Sequence, residues 1–131
     1  MTEIPAAFRD LLSSEFATLA TVGGNGRPQL SEVWFLAEDD TVRLSLNTSR
    51  QKTKNLARNP ACSLLILDLA VPYRYLELRG EAETAPDPDY AFARKLGAKY
   101  NAEFWVHDSP GEARVAVTLR PARIRAVDMR G

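Results

Sequence analysis

Between Val42 and Leu69 the sequence reads VRLSLNTSRQKTKNLARNPACSLLILDL, and this stretch limits the possible folds more than any other. Val42, Leu44 and Leu46 alternate with Arg43 and Ser45, the period-two pattern of a strand with one buried face. The pattern breaks at Asn47-Thr48-Ser49. Arg50 to Arg58 then reads as a short helix. Asn59-Pro60 ends it, because proline cannot continue a helix and biases its predecessor toward extended backbone. A second apolar strand runs from Cys62 to Leu69. So short a helix is not stable alone, and Leu56 and Ala57 are expected to dock it on the body of the protein. The chain must therefore hold a small basic helix between two core strands.

From Val42 to Arg58 the charged residues are Arg43, Arg50, Lys52, Lys54 and Arg58, with no acid among them. Ser49 is the expected N-cap, since its hydroxyl can accept an amide hydrogen that the first turn leaves unpaired. Those amides and the helix dipole favour an anion at this end. Arg50 and Lys52 lie in the same first turn, where local helix chemistry would favour acids. Such violations of local rules are sometimes functional. Two readings stand. One is a phosphate site made of the helix start, Arg50, Lys52 and the hydroxyls of Ser49 or Thr53. The other is a solvated basic face on a connecting helix.

The 131 residues suit one domain spanning 1–131, and a hydrophobic content of 45% supports a proper core. Seventeen basic and seventeen acidic residues give a formal net charge of zero. That argues against a general nucleic-acid binder, which usually carries a basic excess. It leaves room for a local basic patch and offers little repulsion against self-association. The single cysteine, Cys62, excludes an intramolecular disulfide and reads as a small core residue. No apolar run is long enough for a membrane helix and no secretory leader is evident. A cytoplasmic protein without membrane partners is expected.

Elsewhere the pattern is mostly strands and turns. Pro5 to Ser14 reads as a helix with Phe8, Leu11 and Leu12 on one face. Phe16 to Val22 reads as a strand, and Gly23-Gly24-Asn25-Gly26 as a hairpin turn rather than a nucleotide loop. Pro28 to Ala37 reads as one strand with mixed faces. Glu32 between Leu30 and Trp34 marks a face that is not uniformly buried or lies at a subunit boundary. Gln29 and Ser31 are candidate ligand-facing groups or hydrogen-bonded rim residues. Tyr73 to Gly80 alternates well, and Tyr73 and Tyr75 form an aromatic wall for a planar ligand or an interface. Asp87-Pro88 reads as the capped start of a helix running to Tyr100, which Gly97 weakens. The segment 102–112 carries His107, the only histidine, in an expected loop. Ala113 to Leu119 reads as a strand interrupted by Arg120-Pro121, with Ile124 to Val127 as a final short strand.

These elements give a mainly β, α+β chain of six or seven strands. Most strands join by hairpins, without the strand-helix-strand rhythm of a doubly wound sheet. A small antiparallel barrel with flanking helices fits best. Its interior has little room, so a large cofactor needs an outside groove or a subunit interface. One histidine and one cysteine cannot make a conventional zinc site. No nucleophile triad or carboxylate pair stands out, and no catalytic residue is identified. A redox cofactor can carry the hard chemistry while the protein binds and orients it. Three readings follow from the residues: a cofactor-dependent oxidoreductase, a non-enzymatic carrier or sensor of a phosphorylated small molecule, and a structural barrel.

Several stretches together resemble a known family. They are Leu19-Ala20-Thr21, Gly26-Arg27-Pro28-Gln29-Leu30-Ser31, Ser49-Arg50-Gln51-Lys52-Thr53-Lys54-Asn55-Leu56, Asn59-Pro60 and Glu77-Leu78-Arg79-Gly80-Glu81-Ala82. They resemble the pyridoxamine 5'-phosphate oxidase-like split β-barrel proteins, and within them the actinobacterial branch that uses the deazaflavin coenzyme F420. The resemblance covers Phe16 to Glu83 in motif and the final third in layout. It implies an FMN-binding-type split barrel that forms a homodimer with two cofactor sites at the interface. It implies that Arg50, Lys52 and Thr53 hold the cofactor phosphate. Gln29 and Ser31 then approach the cofactor. Asn47, Thr48 and Ser49 run along its ring and ribityl chain. Tyr75 comes from the other subunit. The implied reaction is hydride transfer between F420 and a small electron-poor molecule such as an enone, quinone or tetrapyrrole, with FMN as the alternative cofactor. True pyridoxamine phosphate oxidases carry an Arg-Leu-x-Pro ending and a substrate-binding histidine. Leu119-Arg120-Pro121 and Arg123-Ile124-Arg125 depart from that pattern, which argues against vitamin B6 oxidation.

Overall fold

The computed structural model describes residues 3–130. Its seven strands are β1 (Ala17–Val22), β2 (Pro28–Val33), β3 (Leu36–Glu38), β4 (Thr41–Asn47), β5 (Ala61–Leu67), β6 (Arg74–Pro86) and β7 (Arg114–Asp128). Two α-helices, α1 (Gln51–Arg58) and α2 (Ala91–Tyr100), flank them. Short 3-10 helices lie at Ala6–Ser13, Pro88–Tyr90 and Phe104–His107.

All strand pairs are antiparallel, in the order β2-β1-β5-β6-β7-β4-β3. β2 and β3 are thus the two edges of one sheet, yet only Trp34 and Phe35 separate them in sequence. The edges can meet only if the sheet curls on itself, which makes the split half-barrel. Pro28 to Ala37 is therefore two strands rather than one. The step between them buries Phe35 completely and leaves Trp34 38% exposed.

Alternation sets the core. Leu19 on β1, Val42, Leu44 and Leu46 on β4, Leu64 and Ile66 on β5, Leu76 and Leu78 on β6, and Val117 and Leu119 on β7 are all buried. Each such side chain contributes roughly 1.5–3 kcal/mol when taken fully out of water. Cys62 joins this core, and burial pushes its thiol up to about 11. No described helix is long and apolar enough to cross a membrane.

Three local features differ from the sequence reading. Arg120-Pro121 does not interrupt the last strand. The β6–β7 register shifts at Arg79/Gly80, so Gly80 pairs with Pro121 and Arg79 with Arg123. Proline is tolerated at such a bulge because its missing N–H is not needed there. Second, Asp87 caps α2 from a distance. A 3-10 turn intervenes, and the Asp87 carboxylate accepts the amides of Phe92 (2.8 Å) and Ala93 (2.9 Å). Third, Gly97 is a packing position. A Cβ there would collide with the Ala102 carbonyl and lie 2.8 Å from the Trp105 ring.

A cation-lined pocket at the start of helix α1

α1 begins where β4 ends, and a web of hydrogen bonds fixes the junction. Thr53 Oγ1 donates to the Asn47 carbonyl at 2.7 Å. The Asn47 side-chain oxygen accepts from the Ser49 amide and the Ser49 hydroxyl, both at 2.8 Å. Ser49 is therefore not the N-cap. That position is Arg50, which makes no side-chain cap bond. The amides of Gln51 and Lys52 have no hydrogen-bond partner among the described residues, so the helix start still presents N–H donors.

α1 docks through one face. Thr53, Asn55 and Leu56 are buried, whereas Ala57, an expected docking residue, is exposed. Asn55 is the polar anchor. Its Nδ2 donates to Thr21 Oγ1 and Gln29 Oε1, each at 3.0 Å. Its Oδ1 accepts from Gln51 at 2.9 Å and Arg58 at 3.2 Å. All its hydrogen-bonding capacity is used, so its burial is compatible with a stable core.

On the other side of the junction stand the end of the segment 102–112 and the start of β7. Asn47 Nδ2 donates to Asp108 (3.1 Å) and Glu112 (3.2 Å). Thr48 exchanges hydrogen bonds with Ala113, through its amide at 2.8 Å and its hydroxyl at 3.0 Å. Arg114 grips Asp108 with two bonds of 2.7 and 2.8 Å. The Arg114 guanidinium holds the Asp108 carboxyl below its usual range. Ser49, followed by the Ser109 amide and Asn47, does the same for Glu112.

A cavity of about 290 Å³ opens beside this junction. Lys52, Arg50 and Arg114 supply cations, Ser45 and Asn47 polar atoms, and Trp34 and Phe104 aromatic walls, and Glu32, whose carboxylate accepts from Thr18 Oγ1 at 2.8 Å, also lines it. Arg114 is neutralised by Asp108, but Lys52 and Arg50 have no carboxylate partner among the described residues. Burial, then the charges of Arg50 and Arg114, lower the Lys52 pKa. A lysine held at like charges in a half-buried pocket is suited to an anion, which would relieve both penalties. Ser45 Oγ is buried with no hydrogen-bond partner among the described residues.

Of the residues picked from the sequence, Asn47, Arg50 and Lys52 line this cavity. Thr48, Ser49 and Thr53 stand next to it, with their side chains engaged in the bonds above. Gln29 faces the barrel side of α1 and receives Asn55, and Ser31 sits beside it on β2 opposite Leu19. Neither lines the cavity. Tyr75 lies on β6, paired with Leu67 and Val127, and does not line it either. His107, expected in a loop, ends the 3-10 helix Phe104–His107, is exposed and lies outside the lining. Ser45, Trp34, Phe104 and Arg114 carry no local sequence signal for this site. Arg114 lies more than sixty positions after Arg50, and only the β4–β7 pairing, with Asn47 opposite Arg114, brings it there.

The sequence model of the pyridoxamine 5'-phosphate oxidase family matches residues 4–128. Among solved structures, the chain is similar to an F420 reductase at 35% identity, with 93% of this chain and 98% of that one covered and a TM-score of 0.81. It is similar to a conserved hypothetical protein from Mycobacterium tuberculosis at 27% identity, covering 99% and 88% of the two chains with a TM-score of 0.77. A heme binding protein from Mycobacterium smegmatis is 25% identical with a TM-score of 0.72, and the match covers 97% of this chain but 55% of that one.

Proposed function

The chain belongs to the pyridoxamine 5'-phosphate oxidase family, and we propose that it is an oxidoreductase that uses coenzyme F420 to reduce a small electron-poor organic molecule. The observation that carries this reading is Lys52. It stands with Arg50 at the helix start, lining a cavity without a carboxylate partner for either among the described residues. The unpaired amides of Gln51 and Lys52 add donors at the same place. This donor set fits a phosphate, and coenzymes F420 and FMN both carry one. The 35% identity to an F420 reductase favours the deazaflavin.

When bound, the coenzyme supplies a hydride to an electron-poor double bond. The protein's own groups then bind and orient. Lys52 and Arg50 hold the phosphate by charge-assisted hydrogen bonds. Asn47, fixed by Asp108 and Glu112, sets the position of the helix start. FMN is the second reading, because the phosphate donors do not distinguish it from F420. Pyridoxamine phosphate is not the proposed substrate. Arg120 pairs with Glu83 at 3.1 Å on an exposed surface and lies outside the cavity lining.

A second copy of the chain completes the proposal. Tyr75 does not line its own chain's cavity, so it reaches a coenzyme only by crossing to the partner's site in a homodimer. Parallel titrations of purified protein with F420 and FMN, read by tryptophan quenching and coenzyme fluorescence, test the reading. Tight F420 and weak FMN binding is expected. The reverse order would establish the FMN reading, and binding of neither would overturn both.

A further inference from the structure

We propose that Arg79, Arg123 and Arg125 form an anion site on the outer face of the β6–β7 pair, apart from the α1 cavity, that takes a phosphate dianion. None of the three lines that cavity, so the inference does not rest on the coenzyme reading.

Strand alternation brings these side chains together. Leu76 and Leu78 are fully buried, so Glu77 and Arg79 point outward from β6. Ile124 packs against the core, so Arg123 and Arg125 point outward from β7. The register sets Glu77 opposite Arg125 and Arg79 opposite Arg123. Like charges directly opposite each other destabilise a sheet. The same two strands avoid this just beyond the bulge, where Arg120 lies opposite Glu81 and binds Glu83 at 3.1 Å. The Arg79/Arg123 pair therefore breaks a local rule that its neighbours keep, and such rules are broken at functional sites.

The charge is not met from within the chain. Glu77 accepts from Arg79 at 3.2 Å. Arg123 and Arg125 have no carboxylate partner among the described residues. Alongside on β5 stand Leu65 and Ser63, both uncharged. On the other flank β4 pairs with β7 only as far as Leu119, so no strand beyond Arg123 and Arg125 supplies an acid. Asp128 is held by Arg130 at 2.7 Å. Three arginines against one glutamate leave two positive charges in excess around a pocket of about 210 Å³, which these four residues and Ile124 line. All three arginines are exposed, so a ligand reaches them from solvent. A phosphate group matches the excess with its two charges and the guanidinium forks with its three acceptor oxygens. Cross-strand partners stand about 5 Å apart and residues two apart on one strand about 7 Å. That spacing lets three long side chains close on one phosphate without moving the backbone.

The test uses Lys52→Ala as the parent, because it takes the proposed phosphate donor out of the α1 cavity. The melting midpoints of the parent and of Lys52→Ala with Arg123→Gln are followed as phosphate replaces chloride at constant ionic strength and about pH 8, where phosphate is a dianion. Screening is then fixed, and the general stabilisation by excluded anions acts on both proteins alike. The parent should gain stability with phosphate and saturate, as a bound ligand requires. Adding Arg123→Gln should raise the phosphate needed for the same gain about tenfold. Without phosphate that variant should melt no lower than the parent, since it relieves the repulsion with Arg79. Ribose 5-phosphate acting at lower concentration than inorganic phosphate would identify a phosphorylated small molecule as the ligand, and the reverse order free phosphate. No gain over chloride in the parent, or an undiminished gain with Arg123→Gln, would overturn the site and leave the coenzyme reading untouched.

Discussion

Thr53 Oγ1 donates to the Asn47 carbonyl oxygen across 2.7 Å, and both residues are buried. The bond joins the end of β4 to the first turn of α1. It fixes where Arg50 and Lys52 stand relative to the strand that carries Ser45. Thr53→Val keeps the shape and leaves the carbonyl without this donor. A loss of about 1–2 kcal/mol of folding stability is expected, read as a lower urea midpoint at unchanged slope. Coenzyme affinity should fall with it. Wild-type stability and affinity together would show that the latch does not organise the site.

Lys52→Ala removes a cation that already sits beside Arg50 and Arg114. The folded protein loses no ion pair at this position, so its stability should change by less than about 0.5 kcal/mol. Coenzyme binding should weaken by about 1.5–3 kcal/mol, the range for a charge-assisted hydrogen bond. Isothermal titration with F420 measures it. An unchanged dissociation constant in the folded variant refutes the phosphate assignment.

Lys99 gives a pH dependence. Its ammonium donates to the carbonyls of Ser14 (2.9 Å) and Phe35 (2.8 Å) and lies 3.9 Å over the Phe35 ring. Burial lowers its pKa from 10.5 to about 8. The folded state therefore penalises the charged form. That penalty is complete below pH 8 and is relieved as pH rises toward 10.5, where the unfolded lysine also loses its proton. Stability from this group rises with pH across that window. Cys62 acts oppositely above about pH 9, since burial raises its thiol to about 11. Lys99→Met leaves Cys62 in place, so the stability difference between the two proteins isolates the lysine. Urea denaturation at pH 7, 8, 9 and 10 should show wild type gaining on the variant. Parallel profiles would mean that Lys99 titrates normally.

The parts of this fold that were legible in the sequence were those whose neighbours in space are neighbours in the chain. The alternation of Val42, Leu44 and Leu46, the Gly23–Gly26 turn and the Asn59-Pro60 stop are local signals, and the elements follow them. Gly26 has φ +81°, as a tight hairpin requires. The Trp34-Phe35 step gives no local signal, because it keeps an apolar run going while the chain passes from one sheet edge to the other. Pro121 reads as a break until Gly80 is seen opposite it. The candidate site divides the same way. Arg50 and Lys52 stood out through a local violation, basic charge at a helix start. Ser45 did not, because an isolated serine on the outer face of a strand gives no sign that its hydroxyl will be covered. Ser49 reads as the cap from its position alone, but the Asn47 side chain takes both its amide and its hydroxyl in an Asx turn.

The outer face of the sheet bears on the number of copies. Register aligns Glu32, Thr18, Leu65, Glu77 and Arg125 in one row across five strands, with Leu67, Tyr75 and Val127 in another. α2 covers the outer face at Ala116 on β7, away from these rows, and Leu30 on this face is 67% exposed. Half-exposed apolar side chains flanked by acids and arginines suit a self-complementary interface. A stable one covers about 800 Å² per partner, roughly a tenth of the 7475 Å² surface of the described residues. Light scattering at micromolar concentration should return twice the 14.6 kDa chain mass. Leu65→Lys puts a charge at the centre of the row and should return the single-chain mass with the helical and sheet signals of circular dichroism intact. If Tyr75 serves the partner's cavity, that monomer should also bind coenzyme at least about tenfold more weakly. A wild-type monomer would remove the crossing role of Tyr75, and a Leu65→Lys monomer with full affinity would confine the site to one chain.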